Sequence, residues 1–319
     1  MLDTKEEESV TPDRPIRVDT HVVLVDADYE PGNRVPLALR ATRLFFGVMG
    51  KLLPEATGRL AEKMFFAPRR HREPARETEW LRTATREDVA FENGVVATYR
   101  WGRGPRVFLI HGWEGRGTQM GAFIEPLVDA GFEVIAVDMP AHGRSSGSRT
   151  NGFIWARALR RLAEHYGEPH AMVTHSFGGT CTMLAMAEGF STTRAALISP
   201  GVQGETFFRG FAEIIGLPEK ALAVLRRRVV ASFGDEAWHQ FTIENQGRSL
   251  AAGSKQSLLV HDLGDAEVSY TESVQLVHHT ERSRLLTTRG LAHRRILRDP
   301  SVVAAIVEFV REGDVPFAV

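Results

Sequence analysis

The sequence predicts an α/β fold in which a mostly parallel sheet is covered by helices on both faces. The first observation is a series of short apolar runs, most of them separated by helical stretches, at 107–112, 133–138, 171–176, 195–200, 257–262 and 284–290. Runs that are apolar throughout are typical of parallel strands buried on both faces. The second observation is that polar side chains stand at or after the ends of these runs, namely His111, Asp138, Ser176, Asp262, Asp265 and His293. Ligands bind such sheets at the carboxyl ends of the strands, so this edge is the candidate site.

Length and composition are those of one large globular domain with an insertion. The chain has 319 residues, of which 43% are hydrophobic and 25% charged, so it can bury a large core. Its 39 basic and 40 acidic residues leave a formal net charge of -1. Because no global field favours nucleic acid, we expect no nucleic-acid partner.

The cysteine content and the absence of long apolar runs indicate the cellular compartment of the protein. Cys181 is the only cysteine, which excludes an internal disulfide and a metal cage built from cysteines. The first residues, MLDTKEEESV, are acidic and polar, whereas a secretion signal is basic and then apolar. No apolar run approaches the roughly 18 residues of a membrane span. We therefore expect a cytoplasmic protein, and nothing in the sequence indicates an oligomeric state.

The amino-terminal part of the chain divides into two segments of different character. Residues 1–33 carry many acids and turn-forming residues with little periodicity, so we expect a mobile or loosely attached tail. Residues 34–72 contain nine Lys or Arg and two acids, and their apolar residues recur at helical spacing. Pro54 separates two predicted helices in this basic segment, and Pro68 follows the second.

The apolar stripe of the first of these helices consists of Leu37, Ala41, Leu44, Phe45, Val48 and Leu52. A basic amphipathic helix can lie on a membrane surface or form a partner interface. Apolar stripes more often face the core of their own chain, so we expect the segment 34–72 to pack on the body of the protein. Contact of residues 34–72 with a membrane surface is the alternative.

The remaining chain is predicted to form a core, residues 73–200 and 256–319, that is interrupted by an insertion. Asn93-Gly94 lies between two alternating runs, which indicates a β-hairpin ahead of the buried strands. The connection between the predicted strands that end near Pro200 and begin near Ser257 is far longer than the dozen or so residues of a simple crossover. We expect residues 201–255 to form a small helical cap inserted after the sixth strand.

The stretch THSFGG, residues 174–179, joins an apolar strand to a run rich in small residues. A sharp turn from a strand into a helix needs small neighbours, which Gly178 and Gly179 provide. Ser176 at the apex of such a turn would stand clear of the backbone, as a nucleophile must. A serine between strand and helix can also act only as an N-cap, which is the alternative here.

Four motifs, each at the end of a predicted strand, resemble those of the α/β-hydrolases in their order along the chain. They are HGWEG at 111–115, DMPAHGRSSG at 138–147, THSFGG at 174–179 and GLAH at 290–293. The resemblance extends from about residue 85 to 315 and implies the α/β-hydrolase fold. Thr174 and Ala141 depart from the family pattern, since each replaces a usual glycine.

The resemblance implies a triad of Ser176, His293 and Asp265. A histidine, with an ordinary pKa near 6.5, can accept the serine proton and return it to the leaving group at neutral pH. Of the twelve histidines, His293 alone lies in the family's order, serine then acid then histidine, at the right strand end. Asp262 is the alternative acid and would otherwise order its loop. Glu205 is a more distant alternative.

The resemblance also implies an oxyanion site formed by the backbone N–H groups of Trp113 and Phe177. The Trp113 side chain is then free to line the acyl pocket or simply to pack. His111, His142 and His175 are expected to pack or to hold loops. We expect no cofactor and no metal site, because the sequence lacks a metal-ligand motif such as HExxH.

The expected function is hydrolysis of a small-molecule carboxylic ester, or of a related acyl bond, through an acyl-enzyme. A serine at this turn argues against the dehalogenases and epoxide hydrolases of the family, which use an aspartate there. Thioesters, lactones and carbon-carbon bonds stay open as substrates, because fold and triad do not determine the substrate. The alternative from another class is a non-catalytic binding or membrane-surface protein that uses residues 34–72.

Overall fold

A computed structural model of the chain describes residues 20–24, 37–280 and 282–313. Within these residues, nine strands form a single sheet. The strands are β1 (Thr20–Leu24), β2 (Thr85–Phe91), β3 (Gly94–Trp101), β4 (Arg106–Ile110), β5 (Glu133–Asp138), β6 (Ala171–His175), β7 (Thr192–Ile198), β8 (Ser254–Asp262) and β9 (Ser283–Arg289).

Thirteen α-helices lie before, between and after these strands in the described residues. They are α1 (Leu37–Leu52), α2 (Pro54–Phe65), α3 (Ala75–Thr83), α4 (Ile124–Asp129), α5 (Gly152–Tyr166), α6 (Phe177–Ala187), α7 (Gly204–Ile215), α8 (Glu219–Phe233), α9 (Asp235–Trp238), α10 (Ile243–Gly253), α11 (Tyr270–His278), α12 (Ala292–Arg295) and α13 (Pro300–Glu312). Short 3-10 helices cover Gly117–Phe123, His239–Phe241 and Ile296–Arg298.

The order of strands across the sheet is β1-β9-β8-β7-β6-β4-β5-β3-β2. β2 and β3 form a hairpin, and β3 also runs antiparallel to β5. Every other neighbouring pair is parallel, which confirms the prediction of a mostly parallel α/β sheet. β1 falls within residues 1–33, the predicted tail, yet it pairs with β9 along its whole length. The rest of residues 1–33 lies outside the described residues.

Helices cover both faces of the sheet because successive side chains of a buried strand point in opposite directions. Phe108 and Ile110 of β4 belong to the apolar cluster that includes Trp155 of α5. Leu109, between them, belongs to the cluster on the other face, which includes Phe309 of α13. With both faces buried, the carboxyl edge of the parallel strands is where polar side chains can meet a ligand.

A third apolar cluster joins α1 and α2 to α7 and α8, with Phe46 and Phe208 among its buried members. These helices approach closely, since a Cβ atom on Gly58 of α2 would lie 2.6 Å from Val224 of α8. The helices that pack together here are therefore not the same as those of the predicted cap, residues 201–255. α10 lies beside α6 and belongs to the sheet core, whereas α1 and α2 join the helices of the insertion.

The apolar stripe of α1 faces outward, so the expectation that it packs on the body of the protein is wrong. α1 packs through Phe46 and Gly50, on its other side. Leu37, Leu44 and Leu52 of the stripe are 80%, 70% and 68% exposed. The physical reason is that α1 carries apolar residues on two faces, and only one of them contacts α7 and α8.

Two glycine-to-alanine substitutions test the packing of α6 against β4. A Cβ on Gly178 would lie 2.5 Å from the backbone oxygen of His111 and 2.9 Å from that of Ile110. A Cβ on Gly210 of α7 would meet no other described residue within 4 Å. We expect Gly178→Ala to lower the free energy of unfolding by about 1–3 kcal/mol, because backbone atoms cannot yield as a flexible side chain can. Gly210→Ala should raise it by up to about 1 kcal/mol. Urea denaturation measures both, and equal effects would contradict the close approach at Gly178.

Candidate active site

Ser176 lies at the turn between β6 and α6, with φ of 52° and ψ of -123°. This conformation is disfavoured for a residue with a side chain, so the surrounding structure must hold it. The Ser176 N–H donates to the carbonyl oxygen of Ile198 at 2.9 Å. The serine side chain makes no N-cap hydrogen bond to α6, so the N-cap role is not seen. The turn thus presents a half-buried serine at the carboxyl edge of the sheet.

Close approaches around this turn explain the small residues of the motifs. A Cβ on Gly112, in the HGWEG loop, would lie 3.0 Å from the Cβ of Ser176. Thr174, the first departure from the family pattern, is accommodated within β6 and pairs with Leu197 of β7. Ala141, the second departure, has φ of 67°, a conformation that favours glycine.

The predicted acid contacts the predicted base. His293 Nδ1 donates to Asp265 Oδ2 at 2.7 Å, and Asp265 Oδ1 accepts the N–H groups of Glu267 and Val268 at 2.9 and 3.0 Å. Burial alone would raise the pKa of Asp265, but hydrogen bonds from His261 and His293 outweigh it and hold the pKa below its ordinary value. The carboxylate is therefore ionised, and Nε2 of His293 is the ring nitrogen that can accept a proton.

Asp262, the alternative acid, is fully buried and makes a different set of bonds. Its Oδ2 accepts the Thr288 hydroxyl at 2.7 Å and the Leu291 N–H at 2.9 Å. Its Oδ1 accepts the Gly264 N–H at 2.9 Å. These bonds join the loops after β8 and β9, which carry Asp265 and the base, so Asp262 orders the loops.

Two glutamates, Glu205 and Glu267, pair with arginines. Glu205 lies on α7 and pairs with Arg226 at 2.5 Å, so it is held within the insertion. Glu267 Oε2 lies 3.9 Å from His293 Nε2, and its carboxylate is bound by Arg294 at 3.0 Å. Neither glutamate donates or accepts a hydrogen bond with His293 among the described residues.

Ser176 and His293 are brought to the same edge of the sheet through His175. The His175 Nε2–H donates to the carbonyl oxygen of His293 at 2.9 Å, and the centroids of the two rings are 4.7 Å apart. Because Ser176 follows His175 directly, the base lies beside the turn. Within the part of the chain that the structure describes, the Ser176 hydroxyl makes no hydrogen bond. Such bonds are often long or absent in ligand-free enzymes and tighten when substrate binds.

The backbone N–H groups of Trp113 and Phe177, the predicted oxyanion donors, lie at the same edge. Neither donates a hydrogen bond to another described residue, and their rings meet edge to face at 5.4 Å. The loop of Trp113 is held at Glu114, whose N–H donates to His142 Nε2 at 3.0 Å. The Glu114 carboxylate pairs with Arg69 at 2.8 Å, so a residue of the basic segment 34–72 supports this loop.

Three buried histidines around the serine are kept neutral. Burial lowers the pKa of His111 and His175 well below the ordinary value and that of His142 to about 4. His111 Nε2 accepts the Met139 N–H at 3.0 Å. The Nδ1 atoms of His111 and His142 donate to backbone carbonyls at 2.6 and 3.1 Å. These rings connect loops, so they are poor candidates for proton transfer.

Asp138, at the end of β5, is also engaged in holding loops. Its carboxylate accepts the N–H of Gly117 at 2.7 Å, the N–H of Arg144 at 2.8 Å and the Tyr99 hydroxyl at 3.0 Å. A Cβ on Gly143 would lie 2.2 Å from this carboxylate, so the loop closes tightly around it.

His261 is a residue of the site that the sequence analysis does not single out. It is fully buried, and its Nε2 lies 3.3 Å from Asp265 Oδ2 and 3.2 Å from the Val268 carbonyl oxygen. Because both neighbours of Nε2 are acceptors, Nε2 carries the proton, and Nδ1 accepts from the Ser273 hydroxyl 2.7 Å away. Asp265 therefore lies between the imidazoles of His261 and His293. The motif HDLGD, residues 261–265, contains both His261 and Asp265. Their spacing alone does not show that the His261 ring turns toward the Asp265 carboxylate.

Known proteins are similar to this chain in sequence and in fold. The model of the alpha/beta hydrolase family matches residues 107–317. A probable serine hydrolase of Drosophila melanogaster is 30% identical over 128 residues, which make up 37% of this chain and 38% of that protein. The match thus spans well under half of the length of the fly protein.

Two solved structures resemble the chain at low sequence identity. An esterase of Pyrococcus furiosus is 18% identical, with a TM-score of 0.59 and coverage of 77% of this chain and 97% of its own. Est1E of Butyrivibrio proteoclasticus, solved with ferulic acid bound, is 19% identical, with a TM-score of 0.55 and coverage of 71% and 97%. Because the family model matches more than half of the chain and the sheet has the same fold, the chain belongs to the alpha/beta hydrolase family.

Proposed function

We propose that the protein is a serine hydrolase that cleaves a small-molecule carboxylic ester, or a related acyl bond, through Ser176, His293 and Asp265. The observation that carries the proposal is the 2.7 Å hydrogen bond from His293 Nδ1 to Asp265, made beside the strained turn of Ser176. A buried, ionised carboxylate on Nδ1 orients the ring and stabilises the imidazolium that forms during catalysis.

In the proposed reaction, His293 Nε2 takes the hydroxyl proton of Ser176 while the serine oxygen forms a bond to the substrate carbonyl carbon. Negative charge then develops on the carbonyl oxygen, which the N–H groups of Trp113 and Phe177 stabilise. Collapse of this intermediate breaks the bond to the alcohol, which leaves with the proton from His293. His293 Nε2 then takes a proton from water, whose oxygen attacks the acyl-enzyme, and gives that proton to the serine oxygen as it leaves. This step releases the carboxylic acid and regenerates Ser176.

Aromatic side chains next to the serine support an apolar acyl or alcohol group in the substrate. Phe177 contacts Trp113 at 5.4 Å and Phe207 of α7 at 5.2 Å, and Phe207 contacts Phe241 at 6.4 Å. The similar proteins include one called an esterase and one called a probable serine hydrolase, which supports an ester as one substrate class. Thioesters, lactones and carbon-carbon bonds are the competing substrate classes.

A non-catalytic binding or membrane-surface protein is the second candidate function. The observation that favours it is the Ser176 hydroxyl, which has no hydrogen bond to His293 among the described residues. The hydrogen-bonded acid and base weigh against it, since a protein without a reaction to catalyse has no need of the bond between Asp265 and His293.

Replacing the proposed nucleophile tests the reaction directly. We expect Ser176→Ala to lower kcat/KM for short-chain p-nitrophenyl esters at least about 10⁴-fold, because no other group can form the acyl-enzyme. Ser199 is a matched control, since it also follows a strand, has φ of 47° and has a buried hydroxyl without a hydrogen-bond partner among the described residues. Ser199→Ala should keep its activity. Equal values of kcat/KM for wild type and Ser176→Ala would show that Ser176 is not the nucleophile.

Separate amide substitutions distinguish the two candidate acids. Asp265→Asn should lower kcat by about 10⁴-fold, as loss of the carboxylate does in other triads. Asp262→Asn should lower the melting temperature and reduce kcat much less, because Asp262 accepts hydrogen bonds from the loops and not from His293. Steady-state kinetics with thermal denaturation measures both effects. A larger loss of kcat for Asp262→Asn would assign the acid to that residue.

A pH-dependent comparison tests the bond from His261 to Asp265. Because this bond lowers the folded-state pKa of Asp265 below the ordinary value near 4, its stabilisation is present at neutral pH and is lost only as the pH falls through the lowered folded-state value. His261→Gln keeps a donor near Nε2, whereas His261→Leu removes it. At pH 7, we expect the free energy of unfolding of the Leu variant to be about 1.5–3 kcal/mol lower than that of the Gln variant. Urea titrations should show the same difference at pH 5, which still lies above the ordinary pKa of Asp, and a difference that is absent at pH 7 or lost by pH 5 would contradict the assignment.

A further inference from the structure

Exposed apolar side chains are concentrated on one region of the surface. Of the ten large hydrophobic residues exposed among the described residues, eight lie in α1, in α2 or in the link between them. This set, called here the apolar face, consists of Leu37, Leu44, Phe45, Val48, Leu52, Leu53, Leu60 and Met64. Single exposed apolar residues are ordinary, but a contiguous group marks an interaction surface.

The apolar face cannot turn inward, because α1 and α2 are fixed on the insertion by their other sides. A Cβ on Gly50 of α1 would lie 2.6 Å from Pro218, which shows how closely the backbone of α1 approaches. Arg43 Nε donates to the Ile214 carbonyl oxygen of α7 at 3.1 Å. Ile214 is itself 47% exposed, so the apolar surface continues onto the insertion.

Positive charge borders the apolar face. α1 contains no acidic residue. Exposed cations of α1 and α2 that enter no ion pair within the described part of the chain are Arg40, Arg43, Lys51, Arg59 and Lys63. The two acids of α2 are already neutralised, since Glu55 pairs with Arg227 at 2.7 Å and Glu62 pairs with Arg228. The surface is therefore apolar with a cationic border.

We propose that the apolar face docks on the surface of a membrane that contains anionic lipids. Apolar side chains would enter the headgroup boundary while the bordering cations meet lipid phosphates and other anionic headgroups. No helix in the described ranges is long and apolar enough to cross a bilayer. The 16 residues of α1 span about 24 Å, so α1 would lie in the plane of the interface.

A second copy of the chain is a poorer occupant of the same face. A symmetric dimer would place the apolar face against itself, so cations such as Lys51 and Lys63 would be brought toward their copies. Like charges in a partly dehydrated interface repel, and α1 supplies no acid to compensate. An anionic lipid surface supplies both the apolar layer and the missing negative charge. The inference does not depend on the proposed hydrolase activity.

Vesicle flotation of the full chain tests the proposal. We expect the protein to float with vesicles of 30% phosphatidylglycerol in phosphatidylcholine at low salt, and to float much less with pure phosphatidylcholine or at 0.5 M NaCl. Leu44→Gln combined with Val48→Gln should lower the partition coefficient at least about tenfold. Lys51→Gln should lower it about fivefold. All three positions are exposed, so the fold should be unaffected, which circular dichroism can verify.

Matched controls are available on the far side of the molecule. Arg103 precedes β4 and Lys255 lies at the start of β8, both exposed at the amino edge of the parallel strands. Arg103→Gln and Lys255→Gln should float like the wild type. Absence of flotation with anionic vesicles would overturn the proposal, as would equal losses in the controls. A wild-type dimer that Leu44→Gln with Val48→Gln converts to a monomer, without flotation of either, would assign the face to a second copy.

Discussion

The backbone of Ser176 is the constraint on which the rest of the site depends. A residue with a side chain in this conformation costs about 1–3 kcal/mol, so it persists only where the surroundings leave no alternative. Gly112 and Gly178 allow the neighbouring loop and strand to approach so closely that the turn cannot relax. The hydrogen bond from the Ser176 N–H to Ile198 adds a tie to β7. The serine is therefore presented at the edge by the fold itself.

Carboxylates at the same edge differ in role because their neighbours differ. Asp138 and Asp262 accept hydrogen bonds mainly from backbone N–H groups and hydroxyls, and so they hold loops. Asp265 is bonded to the ring of His293, and a second ring, His261, lies against it. A buried carboxylate between two imidazoles is well placed to hold one of them in a single orientation. Burial also keeps His111 neutral, which restricts proton transfer to fewer groups.

Much of the fold can be predicted from the sequence because its signals are local. Apolar runs mark the buried strands, and THSFGG marks the turn of Ser176. The side of α1 that packs is not a local property, because Leu44 and Phe46 are equally apolar and only the position of α7 and α8 decides which is buried. The pairing of β1 with β9 depends on a strand more than 250 residues away in the chain. The orientation of His261 likewise depends on Ser273, which spacing does not reveal.

The central claim is that Ser176 is an activated nucleophile. Labelling with a fluorophosphonate probe, followed by peptide mapping, tests it most directly, because the probe forms a covalent bond with a serine only when a nearby base activates it. The account predicts one labelled peptide, which contains Ser176, and loss of labelling in His293→Ala. Labelling confined to another serine, or unchanged labelling of Ser176 without His293, would contradict it.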